Sequence, residues 1–233
     1  MKIAIMQPYF FPYIGYFQLI NTVDEFVFYD DVNFIKKGYI NRNTILVNGD
    51  CYQFTLPLKK ASQNKLINET EVALFKKWAD TFLKTLQFAY KNAPHFESVY
   101  SLVKDVLEDD AKTVSQIAIN SVIKVCGYLE LTSCFSLSSR DYSDCKTSKK
   151  ADRLIAIAKE AGKYNYINPI GGQKIYTKTY FKDRGISLNF LQTDRIRYDQ
   201  FQHPFVDSLS IIDVLMFNSK EQTKSLLRNC QLV

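Results

Sequence analysis

Several polar clusters in this chain carry residue types suited to proton transfer and anion binding. Gln7-Pro8-Tyr9 follows the apolar run 3–6, Asp30-Asp31 follows 26–29, and Asn168-Pro169-Ile170-Gly171-Gly172, with Tyr176 beyond, follows 164–167. In parallel α/β sheets, ligands bind beyond the carboxyl ends of strands, so polar residues just past such runs are the first candidates for chemistry. Gln7 offers both a donor and an acceptor. Asp30 or Asp31 could take a proton or bind sugar hydroxyls, but neighbours on a strand face opposite ways, so they share a proton only if the strand ends there. Gly171 and Gly172 let backbone approach an anion closely. Each cluster has a plain alternative as a rigid turn, because Pro, Asp, Asn and Gly are ordinary turn formers.

Tyr39-Ile40-Asn41-Arg42-Asn43 is polar where the surrounding pattern is apolar. Arg42 presents a planar fork that suits phosphate or carboxylate, and Lys36 adds a cation nearby. On a regular strand Asn41 and Asn43 share one face, with Arg42 opposite. The structural alternative pairs Arg42 with Asp30 or Asp31. His203, in the stretch 201–207, has the pKa range of a general base, although a lone loop histidine is more often structural. His95 follows Pro94 between helical segments and reads as a surface or cap residue. Asp213, inside the apolar run 211–217, must be buried and paired or face a site. No Ser-His-Asp or Cys-His ordering, zinc spacing, Walker A loop or GxGxxG occurs, so neither covalent catalysis nor a metal or cofactor is implied.

The elements that must position these residues alternate between two periods. Buried strands are expected at 3–6, 26–29, 164–167 and 187–192, with a weaker one at 133–138. Helices are expected at 15–23, 69–92, 98–108, 113–126, 148–161, 179–184 and 208–217. Asn48-Gly49 between 39–47 and 51–56 signals a β-hairpin. Strands separated by helices predict an α/β fold, a mainly parallel sheet flanked by helices, with the hairpin and a helical segment or lobe in the middle. One domain over 1–233 is expected, with 69–126 a candidate helical insertion.

Composition excludes several classes. At 46% hydrophobic and 23% charged residues the chain is ordinary globular material. A net charge of +6 suits an anionic ligand or an acidic partner and is too dispersed for nucleic acid. The densest basic run, from Lys146 to Arg153, reads as a solvated loop entering a helix. Five cysteines without a CxxC pair fit free thiols in a reducing cytosol. No run is long enough for a membrane span, and the N-terminus lacks a signal-peptide pattern, so a cytoplasmic location is expected.

Taken together, the segments 6–17, Tyr29-Asp30-Asp31-Val32-Asn33-Phe34, Asn41-Arg42-Asn43, Pro169-Ile170-Gly171-Gly172 and 209–215 resemble the WbqC-like family over nearly the whole chain, to about residue 219. Tyr39 stands where the family pattern has Trp, which keeps a ring for stacking. The resemblance implies a role in bacterial surface-polysaccharide (O-antigen) synthesis, by transfer of an acyl or aminoacyl group such as glycyl to the amine of a nucleotide-linked amino sugar. Asp30, Asp31, Asn41 and His203 would then be catalytic. Gln7, Pro8, Tyr9, Lys36, Tyr39, Arg42, Asn43, Asn168, Gly171, Gly172 and Tyr176 would bind substrate. The positive charge would suit an acyl donor carried as a thioester or on an acidic carrier protein. A metal-dependent nucleotidyl- or glycosyl-transferring enzyme using Asp30 and Asp31, and a non-catalytic sugar-nucleotide binder or scaffold protein of the same pathway, are the alternatives.

Overall fold

A computed structural model describes residues 1–201 and 204–233. β1 (Lys2–Met6), α1 (Ile14–Thr22) and β2 (Glu25–Phe28) come first, followed by a hairpin of β3 (Arg42–Val47) and β4 (Asp50–Thr55). Three helices fill the middle: α2 (Phe75–Tyr90), α3 (Phe96–Leu107) and α4 (Val114–Tyr128). β5 (Cys134–Leu137), α5 (Ser138–Asp141), α6 (Lys150–Glu160), β6 (Asn165–Pro169), α7 (Lys178–Lys182) and β7 (Ser187–Thr193) follow. α8 (Ile211–Phe217), α9 (Lys220–Leu226) and β8 (Cys230–Leu232) close the chain. The large sheet has the order β5-β2-β1-β6-β7-β8. Every pairing is parallel except β7 with β8. This is the expected α/β architecture, a mainly parallel sheet with flanking helices and a separate hairpin.

The strands are apolar runs because both sheet faces are covered. Alternate residues feed two cores. Ala4, Phe26 and Phe28 join Phe10, Phe17, Phe54 and the buried faces of α2, α3 and α4. Ile3, Ile5 and Val27 join Tyr166, Leu188 and Ile157 on the other face. Strand order reverses between β1 and β6, the position at which open α/β sheets form a ligand crevice.

Asn48 (φ 52°) and Gly49 (φ 85°) turn the hairpin, as their types require. Its first strand begins at Arg42 rather than 39, because the carbonyl of Tyr39 is taken by the N–H of Phe10 (3.2 Å). The helix expected over 69–92 begins at Phe75. Glu71, Val72 and Ala73 are instead stitched by backbone bonds to Lys59, Lys112 and Pro57 (2.8–3.1 Å), and Leu74 turns with φ 49°.

One peptide ties these parts together. Phe11 has φ 40°, a conformation that costs a bulky L-residue on the order of 1–3 kcal/mol. Its carbonyl accepts from Asn43 Nδ2 (2.7 Å) on β3 and from Ser210 Oγ (2.7 Å) at the start of α8. Its N–H donates to Ser121 Oγ (3.0 Å) on α4. The resembling segments at 6–17, 41–43 and 209–215 therefore meet at Phe11.

Candidate functional site

β1, β2, β5, β6 and β7 run parallel, so their carboxyl ends share one edge of the sheet. Beyond β2, Asp30 and Asp31 are buried. Ser138 Oγ, just past β5, donates to both, to Asp30 at 3.2 Å and Asp31 at 2.5 Å. Asp30 also accepts from the N–H and hydroxyl of Ser139 (3.1 and 2.7 Å). Asp31 accepts Arg153 Nη2 on both oxygens (2.8 and 2.7 Å), with Lys146 Nζ at 3.5 Å. The Arg153 guanidinium lies over the Tyr29 ring, 4.8 Å from its centroid. Burial raises the Asp31 pKa, but the Ser138 hydroxyl, Arg153 and Lys146 outweigh it and hold the carboxyl below its usual range. Arg153, only 6% exposed, is thus not the solvated end of a basic run but the partner of Asp31. Nothing near Asp31 in sequence announces a partner 122 residues away.

The hairpin asparagines bond to backbone. Asn41 Nδ2 donates to Leu56 O (2.9 Å), while Asn43 holds Phe11 and accepts from the N–H of Thr44 (2.8 Å). Arg42 donates to the carbonyls of Gly38 and Lys37, not to either Asp. Its loop bounds a hollow of about 310 Å³ with Lys36, Lys37, Asn41, Phe34, Leu56 and Leu58.

Beyond β1, Tyr9 lies 5.6 Å from the Tyr16 ring and 5.9 Å from the exposed Tyr39 ring. Pro8 is buried, and the carbonyl of Gln7 accepts the Tyr16 hydroxyl (2.9 Å). Among the described residues the Gln7 side chain has no hydrogen-bond partner. Beyond β6, Asn168 Nδ2 donates to Tyr166 Oη (2.6 Å), Gly172 is buried against Asn168, Gly171 is exposed, and the Tyr176 N–H caps Gly172 O (2.8 Å). A methyl group on Gly172 would collide with the Asn168 side-chain oxygen. Gly172→Ala is expected to cost about 1–3 kcal/mol in urea unfolding, and an unchanged midpoint would show that this turn relaxes freely.

A cavity of about 440 Å³ lies at the same edge, past β7. Its lining includes Tyr13, Asp194, Arg195, Arg197, Tyr198 and Asp207. Among the described residues neither arginine forms an ion pair. Behind the wall, Asp213 accepts from Tyr198 Oη (2.7 Å), Tyr90 Oη (2.6 Å) and Gln200 Nε2 (2.8 Å). Burial raises the Asp213 pKa against these three donors.

The sequence-selected residues thus form separate groups: Asp30 with Asp31 beyond β2; Lys36, Asn41 and Arg42 around the smaller hollow; Tyr39 against Tyr9; and Asn168, Gly171, Gly172 and Tyr176 beyond β6. Asn43 and Pro8 support the loop after β1. None of them lines the 440 Å³ cavity, and His203 lies outside the described residues. Arg195 and Arg197 were missed, although they follow a strand end just as Asp30 does. Among the described residues no cluster of three His, Cys, Asp or Glu side chains could hold a metal. No helix among them is long and apolar enough to cross a membrane.

A protein of Mycobacterium tuberculosis (strain ATCC 25618 / H37Rv), Uncharacterized protein Rv1507c, is 28% identical over 233 residues, covering 99% of each chain. No solved structure matches this chain. The model of the WbqC-like protein family matches residues 7–225, a span that takes in the loop after β1, both hollows and the Asp213 helix. That span is nearly the whole molecule, and the chain belongs to the WbqC-like protein family.

Proposed function

We propose that this protein transfers an acyl or aminoacyl group, such as glycyl, to the amine of a nucleotide-linked amino sugar for surface-polysaccharide (O-antigen) synthesis in the cytoplasm. The observation that carries the proposal is the 440 Å³ cavity at the carboxyl edge, with two aspartates and two arginines in its lining, the arginines without an ion pair among the described residues. An amino sugar linked to a diphosphate has charge of both signs. Arg195 and Arg197 suit its diphosphate, and Asp194 or Asp207 suits its ammonium and can take the proton that the attacking amine must lose. Tyr13, Tyr198 and Phe205 offer apolar faces to a sugar or base. Asp30 and Asp31, buried and bonded, act from behind by fixing the loops of this edge. The Gln7 amide is available as an oxyanion donor.

The test is a thermal-shift series with dTDP-, UDP- and GDP-linked amino sugars, each against the free sugar. A nucleotide-linked sugar is expected to raise Tm where the free sugar does not. Arg195→Ala/Arg197→Ala is expected to weaken that binding about a hundredfold, from the loss of two charged contacts. Mass spectrometry of the acylated sugar then reads turnover. Absence of any nucleotide-sugar shift, or a shift that survives the double substitution, refutes the assignment.

A further inference from the structure

We propose that the Lys36–Lys37–Arg42 hollow seats the acyl donor, and that this donor is a thioester on a phosphate-bearing pantetheine arm. The proposal rests on acyl transfer as the reaction and names the reactant which that reaction lacks.

The two hollows differ in charge. The larger one balances two arginines with two aspartates. The smaller one is lined by three cations and, among the described residues, by no carboxylate. A ligand with several negative charges and no amine beside them fits it. Its remaining lining is mostly apolar, from Phe34, Leu56, Pro57, Leu58 and Ala61, with Asn41 and Thr55 between. A pantetheine arm has this division, with phosphate at one end and a dimethyl-bearing chain leading away. Arg42 is held in place. Arg42 clasps the carbonyls of Lys37 and Gly38, and Lys37 turns with φ 63°, so the loop closes over the guanidinium while both lysine side chains remain exposed.

The loop after β1 runs past both hollows. Tyr39, three residues from Arg42, packs 5.9 Å from Tyr9, on the segment that leads to Tyr13 in the lining of the larger cavity. The segment from Tyr9 to Tyr13 thus runs from the Lys36–Arg42 loop, which it meets at Tyr39, to the wall of the larger cavity. A thioester extended along it would meet the acceptor amine. There the amine nitrogen attacks the thioester carbonyl, the C–N bond forms and the C–S bond breaks. The sulfur leaves with its electron pair as thiolate, and the amine's surplus proton passes to a cavity carboxylate and on to the thiolate.

Calorimetry with coenzyme A, 4′-phosphopantetheine, a holo-carrier protein and phosphate-free pantetheine tests this. Either phosphorylated small molecule, or the carrier protein, is expected to bind wild type, with pantetheine at least tenfold weaker. Lys36→Ala/Lys37→Ala should weaken the phosphorylated probe at least tenfold and leave the nucleotide-sugar Tm shift in place. Binding only by the carrier identifies the source of the arm and supports the proposal. Equal binding by the double variant, failure of every phosphorylated probe, or binding of tRNA in their place overturns it. If coenzyme A binds through these lysines while nucleotide sugars do not bind, the donor seat stands and the acceptor assignment falls.

Discussion

Asp213→Leu is expected to destabilise the fold by about 3–5 kcal/mol at neutral pH, because it strands three buried donors at once. Tyr90 and Tyr198 donate their hydroxyls to this carboxylate, and Gln200 its amide. The network has wide reach. Tyr90 Oη also accepts the N–H of Leu46 on β3 (2.9 Å), and Gln200 accepts the N–H of Val206 (2.7 Å). One buried group therefore joins the helical middle, the hairpin and the cavity wall. Asp213→Asn, which keeps an acceptor, is expected to lose less than half as much in urea unfolding. The pH dependence has a definite sign. A carboxyl whose folded pKa is raised binds its proton in the folded state first, so its ionic penalty fades as pH falls through that folded value. Wild type should gain on Asp213→Asn as pH falls from 7 toward 4. Parallel curves across that range would show that Asp213 titrates alike in both states.

Arg153→Met should cost a similar amount, about 3–5 kcal/mol, for the opposite electrostatic reason. It leaves Asp31, with a side chain only 1% exposed, without its close cation. The stabilisation from a lowered carboxyl pKa is present above the unfolded value near 4 and is lost as pH falls through the folded one. Wild type should therefore lose stability on acidification in this range, and Arg153→Met should lose less or even recover. The double variant Asp31→Asn/Arg153→Met isolates the pair, since it removes both charges and should be more stable than Arg153→Met alone. Additive losses would show that Ser138 and Lys146 suffice for Asp31.

Both networks set limits on what the sequence discloses. β1, β2, β6 and β7 are legible because a strand covered on both faces must be a short apolar run. Asn48-Gly49 is legible because its backbone angles suit few other residues. Asp213 is legible as a buried carboxylate, since an acid in an apolar helix has few other fates. Its donors are not, because Tyr90 is 123 residues away and an ordinary core residue by pattern. Asn41 and Asn43 stand out for a real reason, since polar groups in a buried strand need partners. Those partners are carbonyls of neighbouring loops, which no side-chain pattern records. Arg195 and Arg197 show the converse: exposed arginines in a loop look alike whether or not a cavity lies beneath them. β8 escapes because three residues are too few to show a period.

The grip on Phe11 bears on how the chain reaches its native state. The three side chains that hold this peptide come from positions 32, 110 and 199 residues downstream. Closing such distant contacts is slow, and until the last arrives nothing offsets the unfavourable backbone angle. The loop after β1 is therefore made long before Ser210 but acquires its final shape only once α8 has emerged, so maturation of this edge waits on a residue 199 positions downstream.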